Sequence, residues 1–433
     1  MQERYLEYIE DLNNPKVDIR LTNLKILKEG IDKGDIARPE VNDYAVNNHI
    51  HTTYSFSPYS PTKAIWMAYK SGLITAGIMD HDSISGAKEF ITAGKIMEIA
   101  TTIGIECRVD FSKTPLKGRK LNNPDQRSIA YVSLHGIPHT QVDKVREYLS
   151  YYLSERNKRN RLMVERINHM MEPLDIHIDF EKDVIPLSMY NEGGSITERH
   201  IIFALSHRLI EKYGKGENLV RFLKEILKIR LTRRIENYLL DANNEFYDYD
   251  LLGALKAELV ERFYIEATTE CPDVEEIVRF SKEIGSILAY AYLGDIEESV
   301  TGDKKSEKFE DEYLDLLFDV LKGLGFDAVT YMPSRNTLAQ LKRVKALCDK
   351  YGFFQISGED INSPRQPFIC EKLKDPEFRN LIDSTWALIA HERLATKDIN
   401  KGLFSRETIE RYPDLNKRIE IYAELGKRYN YIL

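Results

Sequence analysis

Hydrophobic and polar positions change rhythm three times along this chain. Residues 1 to about 40 carry apolar side chains at helical spacing among charges: Tyr5, Ile9 and Leu12, then Leu21, Leu24, Ile26 and Leu27. From residue 44 short apolar runs alternate with amphipathic segments, which predicts strands over 44–50, 73–79, 102–111 and 129–134 and helices over 61–71 and 85–100. Ser60 is placed to cap the first of these helices and Gly72 to stop it. Between about 141 and 285 amphipathic helical patterns dominate, as in Val145 to Leu149 and Leu219 to Leu223. The alternation then resumes, with strands predicted over 286–292, 326–331 and 353–357 and helices over 310–323 and 337–351. Strand and helix in turn mean a parallel sheet or barrel. The expectation is therefore an α/β barrel formed by residues 44–140 and 286–370, a helical insertion at 141–285, and helical extensions at 1–43 and 371–433.

The polar residues that interrupt this pattern are concentrated where strands end. Four apolar runs finish in metal-ligand side chains, His49-Ile50-His51, Asp80-His81-Asp82, Leu134-His135 and Gly358-Glu359-Asp360, and a fifth carries Glu106 within it. Side chains two apart on a strand share a face, so His49 and His51 can reach one ion. A lone histidine at a strand end commonly bonds only a backbone carbonyl. Position changes that reading: His49, His51, His81 and His135 all fall at carboxyl ends of predicted strands, the face on which barrel active sites are built. Neutral imidazoles hold a borderline metal by nitrogen, and a carboxylate such as Glu106 can bridge two ions. Two cations about 3.5–4 Å apart polarise a phosphoryl oxygen and lower the pKa of a bound water from about 15.7 towards about 7. Such nitrogen and oxygen donors suit zinc, manganese or iron.

Composition narrows the class. At 433 residues the chain exceeds the size at which one core usually stops growing. No apolar run approaches the roughly 18 residues of a membrane span, and the first residues lack the apolar stretch of a signal peptide. Cys107, Cys271, Cys348 and Cys370 lie far apart without Cys-x-x-Cys spacing, which suggests reduced thiols and a cytoplasmic location. A net charge of -8 weighs against a surface that coats long nucleic acid but leaves room for a local basic pocket. The expected partner is a small phosphorylated molecule, with no membrane involved.

Taken in order, His49-Ile50-His51-Thr52, Gly77 through Asp82, Gly104-Ile105-Glu106 and Gly358-Glu359-Asp360 resemble the successive signatures of the PHP (polymerase and histidinol phosphatase) superfamily. The resemblance covers about residues 46–365. It implies a distorted (β/α)7 barrel with two or three divalent metal ions and phosphoesterase activity. Arg156 through Met163 and Ile196 through Ile202 are similar to the helical insertion of the nucleotide-phosphatase branch, which implies a phosphate pocket near Arg199 and His200. Carried over residue by residue, a first metal is held by His49, His51, Glu106 and Asp360, and a second shares Glu106 and uses His135. A third is left with His81, Asp82 and Asn362. Asp82 and His200 are the candidate catalytic residues.

The chain also departs from the pattern. Tyr54 to Pro58 lacks the acidic or histidine ligand expected there, Asp360 is followed by Ile361-Asn362 rather than x-His, and Ile287 to Tyr292 holds tyrosines where a His-Pro pair is expected. A weak or absent third metal follows, with His200 as an alternative ligand. Arg199, Arg335 and Arg365 are candidate phosphate clamps, because a guanidinium presents a planar fork of donors. His139, His169, His177, His207 and His391 read as structural or surface residues. The function expected is hydrolysis of a small phosphomonoester or nucleotide by metal-activated water. The alternatives are a metal-dependent amidohydrolase, for which no suitable strand-end lysine is evident, and a non-catalytic metal- and phosphate-binding protein.

Overall fold

In a computed structural model, residues 3–296 and 308–429 are described. The apolar runs form β1 (Val46–Ile50), β2 (Thr75–His81), β3 (Ala100–Asp110), β4 (Ile129–His135), β5 (Ile287–Ala291), β6 (Ala328–Tyr331) and β7 (Phe354–Ser357), ordered along one curled sheet as along the chain. Beyond β7, Ile361 meets Ile50 in a parallel bridge: Ile361 N donates to His49 O at 3.1 Å and His51 N donates to Ile361 O at 3.0 Å. The curl thus draws the last strand's extension onto the first strand at the residues that flank the candidate ligands.

One strand runs against the expectation of a parallel sheet. β4 is antiparallel to both β3 and β5, whereas the other neighbouring pairs are parallel. A parallel partner needs a crossover, usually a helix. Between β3 and β4 there is none; the chain folds back, with Phe111 N donating to Ser128 O and Gly118 N to Ser128 Oγ.

The helices are α1 (Leu6–Glu10), α2 (Val17–Asp32), α3 (Pro61–Lys70), α4 (Ala87–Met97), α5 (Val142–Met171), α6 (Glu198–Tyr213), α7 (Glu217–Glu225), α8 (Arg233–Leu240), α9 (Tyr247–Phe263), α10 (Val274–Ile284), α11 (Leu314–Leu324), α12 (Leu338–Tyr351), α13 (Asn380–Lys397), α14 (Arg406–Arg411) and α15 (Leu415–Tyr429). Local chemistry sets several of their ends. The Ser60 hydroxyl accepts from Lys63 N with Pro61 at the first position of α3, and Thr337 with Gln340 forms a capping box on α12.

The sheet's two faces bury different things. Its outer face, including Ile103, Ile105, Leu288 and Tyr290, packs under α2–α4 and α10–α12. Arg20 of α2 donates from Nε to Glu89 of α4 at 2.8 Å in a buried pair that ties the N-terminal helices down. The inner face is apolar at one end only. There Ala100, Ile287, Ala289, Ala328, Phe354 and Ile356 meet Trp386, Leu388 and Ile389 of α13, so the C-terminal helices close the barrel from below. Glu392 of α13 accepts from Ile103 N at 2.7 Å, satisfying a backbone group where β4 has diverged from β3. A second core, including Met163, Ile167, Leu205, Leu255 and Phe263, lies within the helices between β4 and β5 and takes in Phe56 from the loop after β1.

His391 of α13 is buried and neutral. Its Nδ1 accepts from Leu403 N at 2.9 Å, and burial pushes its pKa down to about 4. The unfolded chain protonates this residue below about pH 6.5, the native chain only near 4. Its stabilisation is therefore complete above pH 6.5 and is lost as pH falls, at up to about 1.4 kcal/mol per pH unit within the window. Denaturant unfolding at pH 7, 5.5 and 4.5 should show a shallower acid slope for His391→Gln than for the wild type; equal slopes would remove His391 from the acid response.

Candidate metal centre

The polar end of the inner face is where candidate ligands meet. The register of β1 against β2 slips between Asn47 and Ile50, just where β1 leaves the sheet. His49 and His51 then lie with ring centroids 5.0 Å apart. The backbone beside His49 is crowded: a Cβ on Gly358 would lie 2.6 Å from His49 Cβ and 2.7 Å from its nitrogen. Only glycine lets the end of β7 pass so close and deliver Asp360.

Ligand atoms of His49, His51 and Glu106 all lie within 4.8 Å of one another. His49 Nε2 is 3.7 Å and His81 Nδ1 3.1 Å from Glu106 Oε2, and His51 Nε2 is 3.1 Å from Asp360 Oδ1. Despite that approach His51 Nε2 is buried with no hydrogen-bond partner. A buried nitrogen aimed among carboxylates without a hydrogen bond is what a shared cation requires, so these residues fit a divalent metal. Behind them, Asp80 accepts from Thr52 N, Thr52 Oγ1 and Ser55 Oγ, each at 2.6 Å, and Ser55 Oγ lies 3.4 Å from His51 Nδ1. This chain fixes the orientation of the His51 ring, a common support for a liganding imidazole.

Charge and burial compete across the cluster. Burial disfavours the His49 imidazolium, yet Glu106 and Asp360 pull its pKa up. Burial alone would raise Asp360, but the His51 and His49 rings hold it well below the usual carboxylate range. Burial, with His51 and Arg156 nearby, pushes His81 well down.

The remaining sequence candidates are differently placed. His135 pairs with Ile287, the first residue of β5, and lies two residues along β4 from Ser133, which pairs with Glu106. Its Nε2 is buried without a partner, and burial pushes its pKa to about 3. Tyr131, two residues from Ser133 in the other direction, lies 5.6 Å from the His81 ring. Asp82, at a positive φ of 51°, pairs with the buried Arg156 guanidinium rather than with the cluster. His200 is the third residue of α6, where its Nδ1 accepts from Thr197 N at 3.0 Å in a capping box; burial and Arg156 push its pKa to about 3. That nitrogen is therefore already committed to the helix end. Arg365 makes two 2.8 Å bonds to Asp250 and stacks on Tyr238, so it joins the loop after β7 to α9. Arg335 donates to Leu293 O at 3.1 Å and does not line the cavity. Arg199 does line it, and no hydrogen bond or ion pair is seen for it among the described residues.

That cavity, about 180 Å³, has His49, His81, Glu106 and Asp360 on the barrel side and Arg156, Thr197, Arg199, Lys256 and Val260 on the helical side. Arg156, Tyr131 and Lys256 went unread as site residues in the sequence. The signal for Arg156 was its spacing with Arg159 on one face of a helix; for Tyr131 and Lys256 there was none. Arg156 belongs to a buried network in which Asp82, Glu198 and Glu270 face Arg108, Arg156 and Arg159. No helix among the described residues is long and apolar enough to cross a membrane.

The sequence matches no family model and no curated protein. The chain is similar to solved structures. One from Bifidobacterium adolescentis, described as a candidate metal-dependent phosphoesterase, superimposes with a TM-score of 0.51 at 17% identity, over 80% of this chain and 98% of that one. Another, an amidohydrolase from Chromobacterium violaceum with sulfate bound and no metal, gives a TM-score of 0.49 at 16% identity, over 78% and 96%. At such identities the likeness to the first establishes a common α/β barrel-type fold.

Two substitutions test the centre. Asp80→Asn, which loosens the support of His51, should weaken zinc binding by about 10–100-fold. Gly358→Ala should weaken it further by displacing His49. Competition against a fluorescent zinc chelator reads both; unchanged affinity in the two variants would place the metal elsewhere.

Proposed function

We propose that the chain is a metal-dependent phosphoesterase of the PHP superfamily, acting on a small phosphomonoester or nucleotide. The observation that carries this reading is the convergence of His49, His51 and Glu106 beside a small cavity that His49, Glu106 and Arg199 line together. His49, His51, Glu106 and Asp360 would hold the metal, and their nitrogen and oxygen donors suit zinc, manganese or iron. A divalent cation there supplies an acidified water and withdraws charge from a phosphoryl oxygen.

The chain's own residues do the rest. Arg199 binds non-bridging phosphoryl oxygens through its planar fork. Phe56, Val260 and Met332, on the cavity wall, cover the leaving group and limit access of bulk water. Asn362 donates to Asp360 Oδ1 at 2.7 Å and so holds that carboxylate towards His51. The products are inorganic phosphate and the free alcohol.

The test is phosphate release from a panel of nucleotides, sugar phosphates and amino-alcohol phosphates, using chelated protein with zinc, manganese or iron(II) restored. Release should depend on metal and vanish in Asp360→Asn, while Arg199→Ala should lower kcat/KM by roughly 10- to 100-fold, the worth of a charged hydrogen bond. No release with any of these metals, from protein that still binds them, would sink the proposal.

A further inference from the structure

β1 carries two adjacent asparagines, Asn47 and Asn48, and both are fully buried. Asparagine is depleted in strands, and a buried amide is costly unless its hydrogens and oxygen are bonded. Their partners explain their place. β1 and β7 are the two ends of the sheet, and among the described residues the only backbone pairing that joins β1 to β7 or to the chain beyond it is the bridge of Ile50 to Ile361. Side-chain amides supply further bonds across that seam. Asn48 Nδ2 donates to Ser357 O at 2.8 Å. Asn47 Nδ2 donates to Glu359 O at 3.1 Å and to Phe368 O at 3.2 Å, and its Oδ1 accepts from His49 N at 2.9 Å.

The Asn47 contacts bear on the candidate ligands from both sides of the seam. His49 is itself a ligand, Glu359 precedes Asp360, and Phe368 ends the loop on which Asp360, Asn362 and Arg365 stand. One amide thus pins both ends of that loop and the backbone of His49 at a single point. Both of its N–H groups and its carbonyl are used, which leaves the side chain one orientation. The approach is close: a Cβ on Gly358 would lie 3.0 Å from Asn47 Oδ1 as well as against His49. His51 Nε2 and Asp360 Oδ1, 3.1 Å apart, face each other across the same seam. We propose that Asn47 is a positioning residue of the metal centre: without touching the ion, its amide sets where Asp360 stands relative to His49 and His51. The proposal rests on the metal ligands assigned above and not on ester hydrolysis.

Asn47→Asp is the discriminating substitution. The new side chain keeps the shape and still accepts from His49 N, but ionised it sets an oxygen against the Glu359 and Phe368 carbonyls, and protonated it restores one donor of two. Zinc affinity is read by competition against a fluorescent chelator, in a double-mutant cycle with Asp360→Asn and with circular dichroism confirming the fold. It should fall about 10- to 100-fold in Asn47→Asp. In the Asp360→Asn background the same change should cost no more than about 2-fold, because the ligand it positions is gone. Cobalt(II) bound to Asn47→Asp should give the visible spectrum of Asp360→Asn rather than that of the wild type, a signature that lost stability alone would not move. Unchanged zinc affinity in Asn47→Asp, or losses that simply add, would overturn the proposal, as would zinc affinity indifferent to Asp360→Asn. If Asn47→Asp does not fold, Asn47→Ala is read in its place by the cobalt spectrum, where a wild-type band overturns the proposal. If neither folds, Asn47 serves the fold and not the centre, and the proposal falls. An overlapping cycle in protein that releases no phosphate from any ester would uphold Asn47 and sink the phosphoesterase reading alone.

Discussion

The buried ionic network at the seam between barrel and helical insertion is the constraint on which the rest of the site depends. It joins Asp82, after β2, and Arg108, on β3, to Arg156 and Arg159 of α5, Glu198 of α6 and Glu270 in the segment before α10. Such a network adds little over well-packed apolar groups, but loss of one member leaves an uncompensated buried charge, which is strongly destabilising. The six groups tie the insertion to the barrel beside the cavity that Arg199 and Lys256 line together with the candidate ligands His49 and Glu106.

The barrel contributes a polarised interior. One end of the inner face is filled by α13, and the other ends in histidines and carboxylates, so the same strands supply both core and chemistry. Asn48 links the two ends, donating to Ser357 O and to Thr385 Oγ1 of α13, each at 2.8 Å, one residue from His49. The C-terminal helices are thus part of the scaffold that holds the ligands.

The loop after β1 shows how an expected ligand position can be given over to packing. Where an acidic or histidine ligand was expected, Phe56 enters the insertion's core and meets the His200 ring edge-on at 5.0 Å, while Tyr54 O accepts from Ser195 N at 2.8 Å. His200 is correspondingly a helix cap under an aromatic lid. Arg365 follows the same logic: a residue suited to phosphate by type is held by Asp250 and Tyr238 because the insertion reaches it first.

Local pattern by itself determined the seven strands, the long helical interruption, and the placement of His49 and Glu106 on strands and of His51 and Asp360 just beyond strand ends, because alternation and side-chain type are properties of neighbouring residues. Strand direction is different. It depends on the path of the connection, and the fold-back between β3 and β4 sets Tyr131 and His135 on either side of Ser133, the partner of Glu106, without altering the apolar pattern of the strand. The partners of Arg156, Arg365 and His200 were likewise decided only in three dimensions. A guanidinium or imidazole binds whatever the tertiary fold sets beside it, and the Asp250 that holds Arg365 is 115 residues away in the chain.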